Sequence, residues 1–220
     1  MLAAAFLVGV VVLAFLAVEV GPLYVTDRFR DLREPTDPER AELDALRAAA
    51  GLDVDRVAIV ETSGDNSIDV AARGPPRRRV LFVTDTVLDE LDEDVAVGLL
   101  AAEAGRVQTY YGEFRAVSIA VVLGLLAGIV TTTVPFEAGF ASLVLIGLSA
   151  FWVGRRVQYA ADDRAADAVG AGRVADAFER VAAVRGVEPE TSDWSTWFEV
   201  QPPLGDRIAA LRERANSERA

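Results

Sequence analysis

Few side chains in this sequence can do chemistry, and their types narrow what that chemistry is. There is no histidine and no cysteine. A Ser-His-Asp triad, a thiolate nucleophile, a disulfide and an imidazole or thiolate zinc site are therefore excluded. Carboxylates and guanidiniums remain: 34 acids against 22 basic residues, all of them arginine, for a net charge of −12. Glu103, Asp162, Asp163 and Asp167 have the hard oxygens that magnesium or calcium takes, although acids on a helix ordinarily form a solvated face. Two spacings stand out. Arg106 follows Glu103 by three positions, within side-chain reach on a helix, and Gln158 and Asp162, four apart, share a helix face. The acidic balance argues against nucleic acid, which needs a basic footprint. Arg77-Arg78-Arg79 reads as a solvated turn or a lipid-headgroup contact rather than a binding site.

The elements that position these residues fall into apolar and polar blocks. Leu2 to Val18 is almost wholly apolar and close to one bilayer core in length. No basic residue precedes it, and Val18-Glu19-Val20 is a poor cleavage site, so a retained transmembrane helix is expected rather than a signal peptide. Ala116 to Val134 and Ala138 to Val153 carry no charge, with Pro135, Phe136 and Glu137 between them as the turn of a membrane hairpin. Arg28, Arg30 and Arg33, then Arg106 and Arg115, then Arg155 and Arg156 flank the blocks, while the turn has no arginine. That asymmetry puts the polar segments in the cytoplasm and the turn outside. No aspartate lies within a membrane block, so an intramembrane aspartate pair has no residues to use. Gly124 and Gly128 form a small-xxx-small pair. Dense acid with arginine and no lysine also suits a halophilic, high-salt cytoplasm.

Within the polar segments, Asp37-Pro38-Glu39 opens a helix with Asp37 as its cap, Leu43, Leu46 and Ala50 as its apolar face and Gly51 as its end. Strands are expected over 57–60, 67–72 and 80–83, with Ser63-Gly64-Asp65-Asn66 and Gly74-Pro75-Pro76 as turns. A short helix over 87–91 precedes a long one from Glu93 to about Tyr110, capped by Asp92. Helices follow over 155–169, 175–184 and 204–214, the last with Leu204, Ile208 and Leu211 on one side.

Four segments in this order resemble the HtpX-type membrane zinc metalloproteases, relatives of the CAAX prenyl endopeptidases. They are Asn66-Ser67; Ala102-Glu103-Ala104-Gly105-Arg106, standing where the family has HELGH; Gln158-Tyr159-Ala160-Ala161-Asp162, standing for E-Y-x-A-D; and Gln201-Pro202-Pro203-Leu204-Gly205-Asp206-Arg207-Ile208, standing for HPPLxxRI. The resemblance covers about residues 30 to 212. It implies a zincin-like cytoplasmic domain in which Glu103 is the family's general base, Ala102, Arg106 and Gln158 are former zinc-ligand positions, Asp162 and Gln201 flank the site, and Asn66 and Ser67 belong to a peptide-binding strand. HExxH works because residues four apart put two imidazoles on one metal. Here Ala102 has no donor, Arg106 is a permanent cation and Gln158 is a weak neutral ligand. Arg106 is expected to stand in for the metal's charge by pairing with Glu103 or Asp162.

The expected fold is thus α+β and mainly helical: three transmembrane helices and a cytoplasmic metalloprotease-like domain with a small sheet. The expected division is a transmembrane helix over 1–21, the domain's first part over 22–115, a transmembrane hairpin over 116–154 and the domain's second part over 155–220. The resemblance implies a catalytically inactive homologue, a pseudoprotease without metal, in contact with the lipid bilayer. A peptide or a membrane-protein quality-control component is its expected partner. The alternative is an active membrane metallopeptidase using Glu103 with a non-standard carboxylate metal site. Nothing in the sequence sets the oligomeric state.

Overall fold

The computed structural model describes residues 2–19, 21, 32–62, 67–184 and 202–219. Asn66, Gln201, Arg28 and Arg30 lie outside the described residues.

Helix α1 (Leu2–Glu19) is followed by a two-residue strand β1 (Leu32–Arg33) and helix α2 (Asp37–Ala50). The cap of α2 is Thr36, not Asp37. Glu39 decides this: its Oε2 accepts the Thr36 backbone N–H at 2.7 Å, and both its oxygens take the Arg33 guanidinium at 2.5 and 2.7 Å. That closes a capping box one residue earlier and leaves Asp37 and Pro38 in the first turn. Gly51 ends the helix at φ 66°, a left-handed conformation that suits glycine.

Strands β2 (Arg56–Val60), β3 (Val70–Arg73) and β4 (Val80–Thr84) complete a four-stranded mixed sheet in the order β1-β2-β4-β3. β2 and β4 run parallel, while β1–β2 and β3–β4 are antiparallel. The central strand β4 buries Leu81, Phe82, Val83 and Thr84, as an inner strand covered on both faces must. β3 is an edge strand. Ser67 precedes it rather than belonging to it, so the expected strand begins three residues late.

A short helix α3 (Asp85–Asp89) leads to α4 (Glu93–Gln108), capped at Asp92 as expected. Then come α5 (Tyr111–Val130), α6 (Phe136–Val169), α7 (Ala171–Val184) and α8 (Leu204–Arg219). One core joins the sheet to the helices, with Leu43 and Leu46 from α2, Ile59, Leu81 and Val83 from the sheet, and Leu100 from α4; Val174, Phe178 and Leu211 extend it to α7 and α8. Two glycines let α4 sink into this core. A methyl added at Gly105 would lie 2.1 Å from the Ala161 carbonyl oxygen of α6, and one at Gly98 would lie 2.7 Å from the Arg173 carbonyl of α7.

Among the described residues two helices, α5 and α6, are long and apolar enough to cross a membrane, in place of the three expected. Helix α1 has 18 residues, about 27 Å at 1.5 Å per residue and short of a hydrocarbon core of about 30 Å, whereas α5 has 20 residues and α6 has 34. Large apolar side chains on α5 and α6 face outward, Val130 at 81% exposure and Leu145 at 68%. Pro135 is not in the turn but caps α6, so Phe136 and Glu137 start the helix and the turn itself is 131–134. The small-residue face of α5 receives α1: a methyl on Gly124 would meet Val11 at 2.4 Å.

Candidate functional site

The site forms where α4, α6 and α8 meet beneath the edge strand β3. Gly105 brings α4 against α6, and this close approach sets Glu103 and Arg106 beside the helix carrying Gln158 and Asp162. Glu103 is 4% exposed. Its Oε1 accepts the backbone N–H of Ala72 on the outer edge of β3 at 2.8 Å, and its Oε2 accepts Arg106 Nη1 at 3.1 Å. The expected pairing of Arg106 is thus made with Glu103. Burial works to lower the Arg106 pKa, and the carboxylates of Glu103 and Asp162 more than offset it, so the guanidinium is held above its usual range.

Asp162 has a different partner. Arg207 of α8 grips it with two hydrogen bonds, Nε to Oδ2 at 2.7 Å and Nη2 to Oδ1 at 2.6 Å. Both residues are buried, and the guanidinium lies 4.5 Å from the centre of the Phe178 ring. A paired carboxylate and a ring face together compensate a buried cation. Gln158 is fully buried on the same face of α6 and donates from Nε2 to Asp162 Oδ1 at 3.3 Å. Its Oε1 has no hydrogen-bond partner. Ala102 packs its methyl into the hydrophobic core.

The donor set does not fit zinc. Ala102 offers no atom, Arg106 offers positive charge, and Gln158 offers one amide oxygen. The two carboxylates nearby, Glu103 and Asp162, are each held by a guanidinium. Among the described residues no three acids converge as a metal cage; Asp163 and Asp167 pair with Arg214 on the outer face of α6.

Arg207 was missed as a site residue by sequence reasoning, and so was the Ala72 amide. A signal for Arg207 existed. Leu204, Ile208 and Leu211 mark the apolar stripe of α8, and position 207 lies within it, where an arginine needs a buried acid. The Ala72 amide carries no side-chain signal.

A mixed sheet with an exposed edge, a glutamate-bearing helix under that edge, an apolar helical hairpin and a returning helix with paired polar residues agree with the scaffold that the motif resemblance implies. Comparison with known proteins makes the likeness specific. The chain is 26% identical, over a 228-residue alignment, to Protease HtpX of Xanthomonas axonopodis pv. citri (strain 306), covering 86% of this chain and 77% of that protein. It superposes on the crystal structure of S. mikatae Ste24p with a TM-score of 0.69 at 17% identity, covering 96% of this chain and 58% of that one. The chain thus spans less than two thirds of the length of that solved structure. No family model matches. Sequence and fold together support placing the chain with the HtpX/Ste24-like membrane metalloproteases, as its motifs imply. The same likeness and the two apolar helices support association with a membrane.

Proposed function

We infer that this chain is a catalytically inactive HtpX-like homologue, a pseudoprotease that keeps the scaffold and has exchanged the metal for internal ion pairs. One observation carries the reading: the three positions matching zinc ligands are Ala102, Arg106 and Gln158, and arginines occupy the carboxylates left behind. The flanking arginines favour a multi-pass protein of the cell membrane with its polar segments cytoplasmic. The proposed division follows the chain: an N-terminal apolar helix, the 22–115 segment, the 116–154 hairpin and the 155–220 segment. The acidic, lysine-free composition fits a high-salt cytoplasm.

A retained role is peptide or membrane-protein binding along the edge of β3 by strand addition, serving a quality-control partner. Glu103 bears directly on this. It already occupies the Ala72 N–H, a donor that an added strand would use, so a docking peptide must displace the carboxylate.

The test combines metal content with two substitutions. Elemental mass spectrometry of the purified protein in detergent at high salt should give near-zero metal per chain. Crosslinking of a labelled unfolded peptide should survive Glu103→Gln and increase with Glu103→Ala, which frees the Ala72 amide. One tightly held metal per chain, with peptide cleavage abolished by Glu103→Gln, would replace this reading with that of a metallopeptidase using a carboxylate site.

A further inference from the structure

The cleft in front of Glu103 has a charge opposite to that of the protein. It measures about 360 Å³ and opens between β3, α4 and α5. Arg73, Arg79, Arg106 and Arg115 line it, against two carboxylates, Glu103 and Glu113. An excess of two positive charges in a chain of net charge −12 is a local inversion, and a concave cationic site concentrates anions.

The donors in this cleft are only partly used. Arg79 is engaged by Glu113 and reaches the Val107 carbonyl at 3.4 Å. Glu103 takes one nitrogen of Arg106, whereas Arg106 Nε is buried with no hydrogen-bond partner. The Tyr111 hydroxyl is also buried and unpartnered, on a residue 6% exposed that lines the cleft. Buried polar atoms are normally satisfied, so two unsatisfied donors at one cleft call for an acceptor. Arg73 and Arg115 stand exposed at its mouth. Tyr111 and Gly112 begin α5, whose N-terminal amides add the positive end of a helix dipole.

We propose that this cleft binds a phosphate-bearing anion, gripped by Arg73, Arg106 and Arg115 with the Tyr111 hydroxyl as a neutral donor. The cleft's other wall is apolar, with Val18 of α1 and Ile119 of α5, and both helices continue as outward-facing apolar surface. A phosphate joined to acyl chains, the headgroup of an anionic phospholipid, matches both walls; free phosphate matches the first alone. The inference holds whether or not the chain cleaves peptides.

The experiment is thermal unfolding of the full chain in neutral detergent at constant ionic strength. The additions are short-chain phosphatidylglycerol, short-chain phosphatidylcholine or inorganic phosphate. The midpoint should rise saturably with phosphatidylglycerol and not with phosphatidylcholine, because a ligand of the folded state stabilises by mass action. Arg73→Gln with Arg115→Gln removes two exposed side chains and should leave the ligand-free midpoint in place. It should raise the half-saturating concentration at least about tenfold, the equivalent of one charge-assisted hydrogen bond. An equal rise with inorganic phosphate upholds the site with a free anion as its source; no rise with phosphate upholds it with the lipid as source. Equal responses to the two lipids with none to phosphate, or a double variant that responds as the unaltered chain does, would overturn it.

Discussion

Two acid–arginine pairs sit close together in this protein and are built to different purposes. Glu103 and Arg106 are neighbours on one helix, joined by a single contact at 3.1 Å, and the arginine side chain is 31% exposed at the mouth of a cleft. Asp162 and Arg207 are 45 residues apart, joined by two hydrogen bonds and sealed from solvent. The first pair satisfies a carboxylate locally. The second joins α6 to α8, a tie between distant segments of the kind a structural metal makes. Each carboxylate has its own guanidinium, and only one of the two arginines also ties distant segments of the chain together.

Breaking the distant pair should have the largest effect. Arg207→Leu leaves Asp162 buried without a cation, and chemical denaturation should show a loss of about 3–5 kcal/mol. Replacing both partners, Asp162→Leu with Arg207→Met, should recover most of it, since apolar residues of similar volume need no pairing. If the double variant is as unstable as the single one, the pair is not what Arg207 contributes, and its packing over Phe178 is. Breaking the local pair should matter less. In Arg106→Gln, Glu103 keeps the Ala72 N–H and water reaches it from the cleft, so the same measurement should give about 1–2 kcal/mol. A loss equal to that of Arg207→Leu would erase the distinction between the pairs.

The smallest effect comes from a third pair at the surface, Arg33 with Glu39. The Arg33 guanidinium, and then the Thr36 hydroxyl and amide, hold the Glu39 carboxyl at about 2 against 4.5 when unpaired. A folded-state pKa below the unfolded one means the contribution is complete above pH 4.5 and fades as the pH falls towards about 2. Thermal melts from pH 7 to pH 3 should therefore show a shallower decline for Glu39→Gln than for the unaltered chain. Because both side chains are partly exposed, the difference should shrink further in high salt.

The pairs at the site also show which parts of it could be read from sequence. Glu103 and Arg106 lie three apart on a helix, so periodicity alone brought them within reach. Asp162 and Arg207 are joined only by the path of the chain through α7 and the segment after it, and no local spacing encodes that path. The element order, the hairpin, the cap at Asp92 and the continuation of α6 beyond Val153 were legible because apolar blocks and punctuation residues are local signals. Thr36 displaced Asp37 as a cap because Glu39 could reach back to only one of them. The mixed sheet order, with β4 inserted between β2 and β3, was not legible, since strand neighbours are fixed by tertiary packing. The apolar block of α1 was legible as well, Leu2–Glu19 against the expected Leu2 to Val18, but its 18 residues make it the shortest of the three apolar helices.

Helix α6 runs from Phe136 to Val169 without proline or interruption. It is one stiff rod, and its two halves serve different surroundings. The apolar end and Asp162 are separated by about 40 Å of helix at 1.5 Å per residue. Such a rod is a lever: a tilt of about 3° at one end displaces the other by about 2 Å, comparable with the distances that define the Asp162–Arg207 pair. A tilt of the apolar hairpin would therefore be felt at the joint at which α8 is fastened.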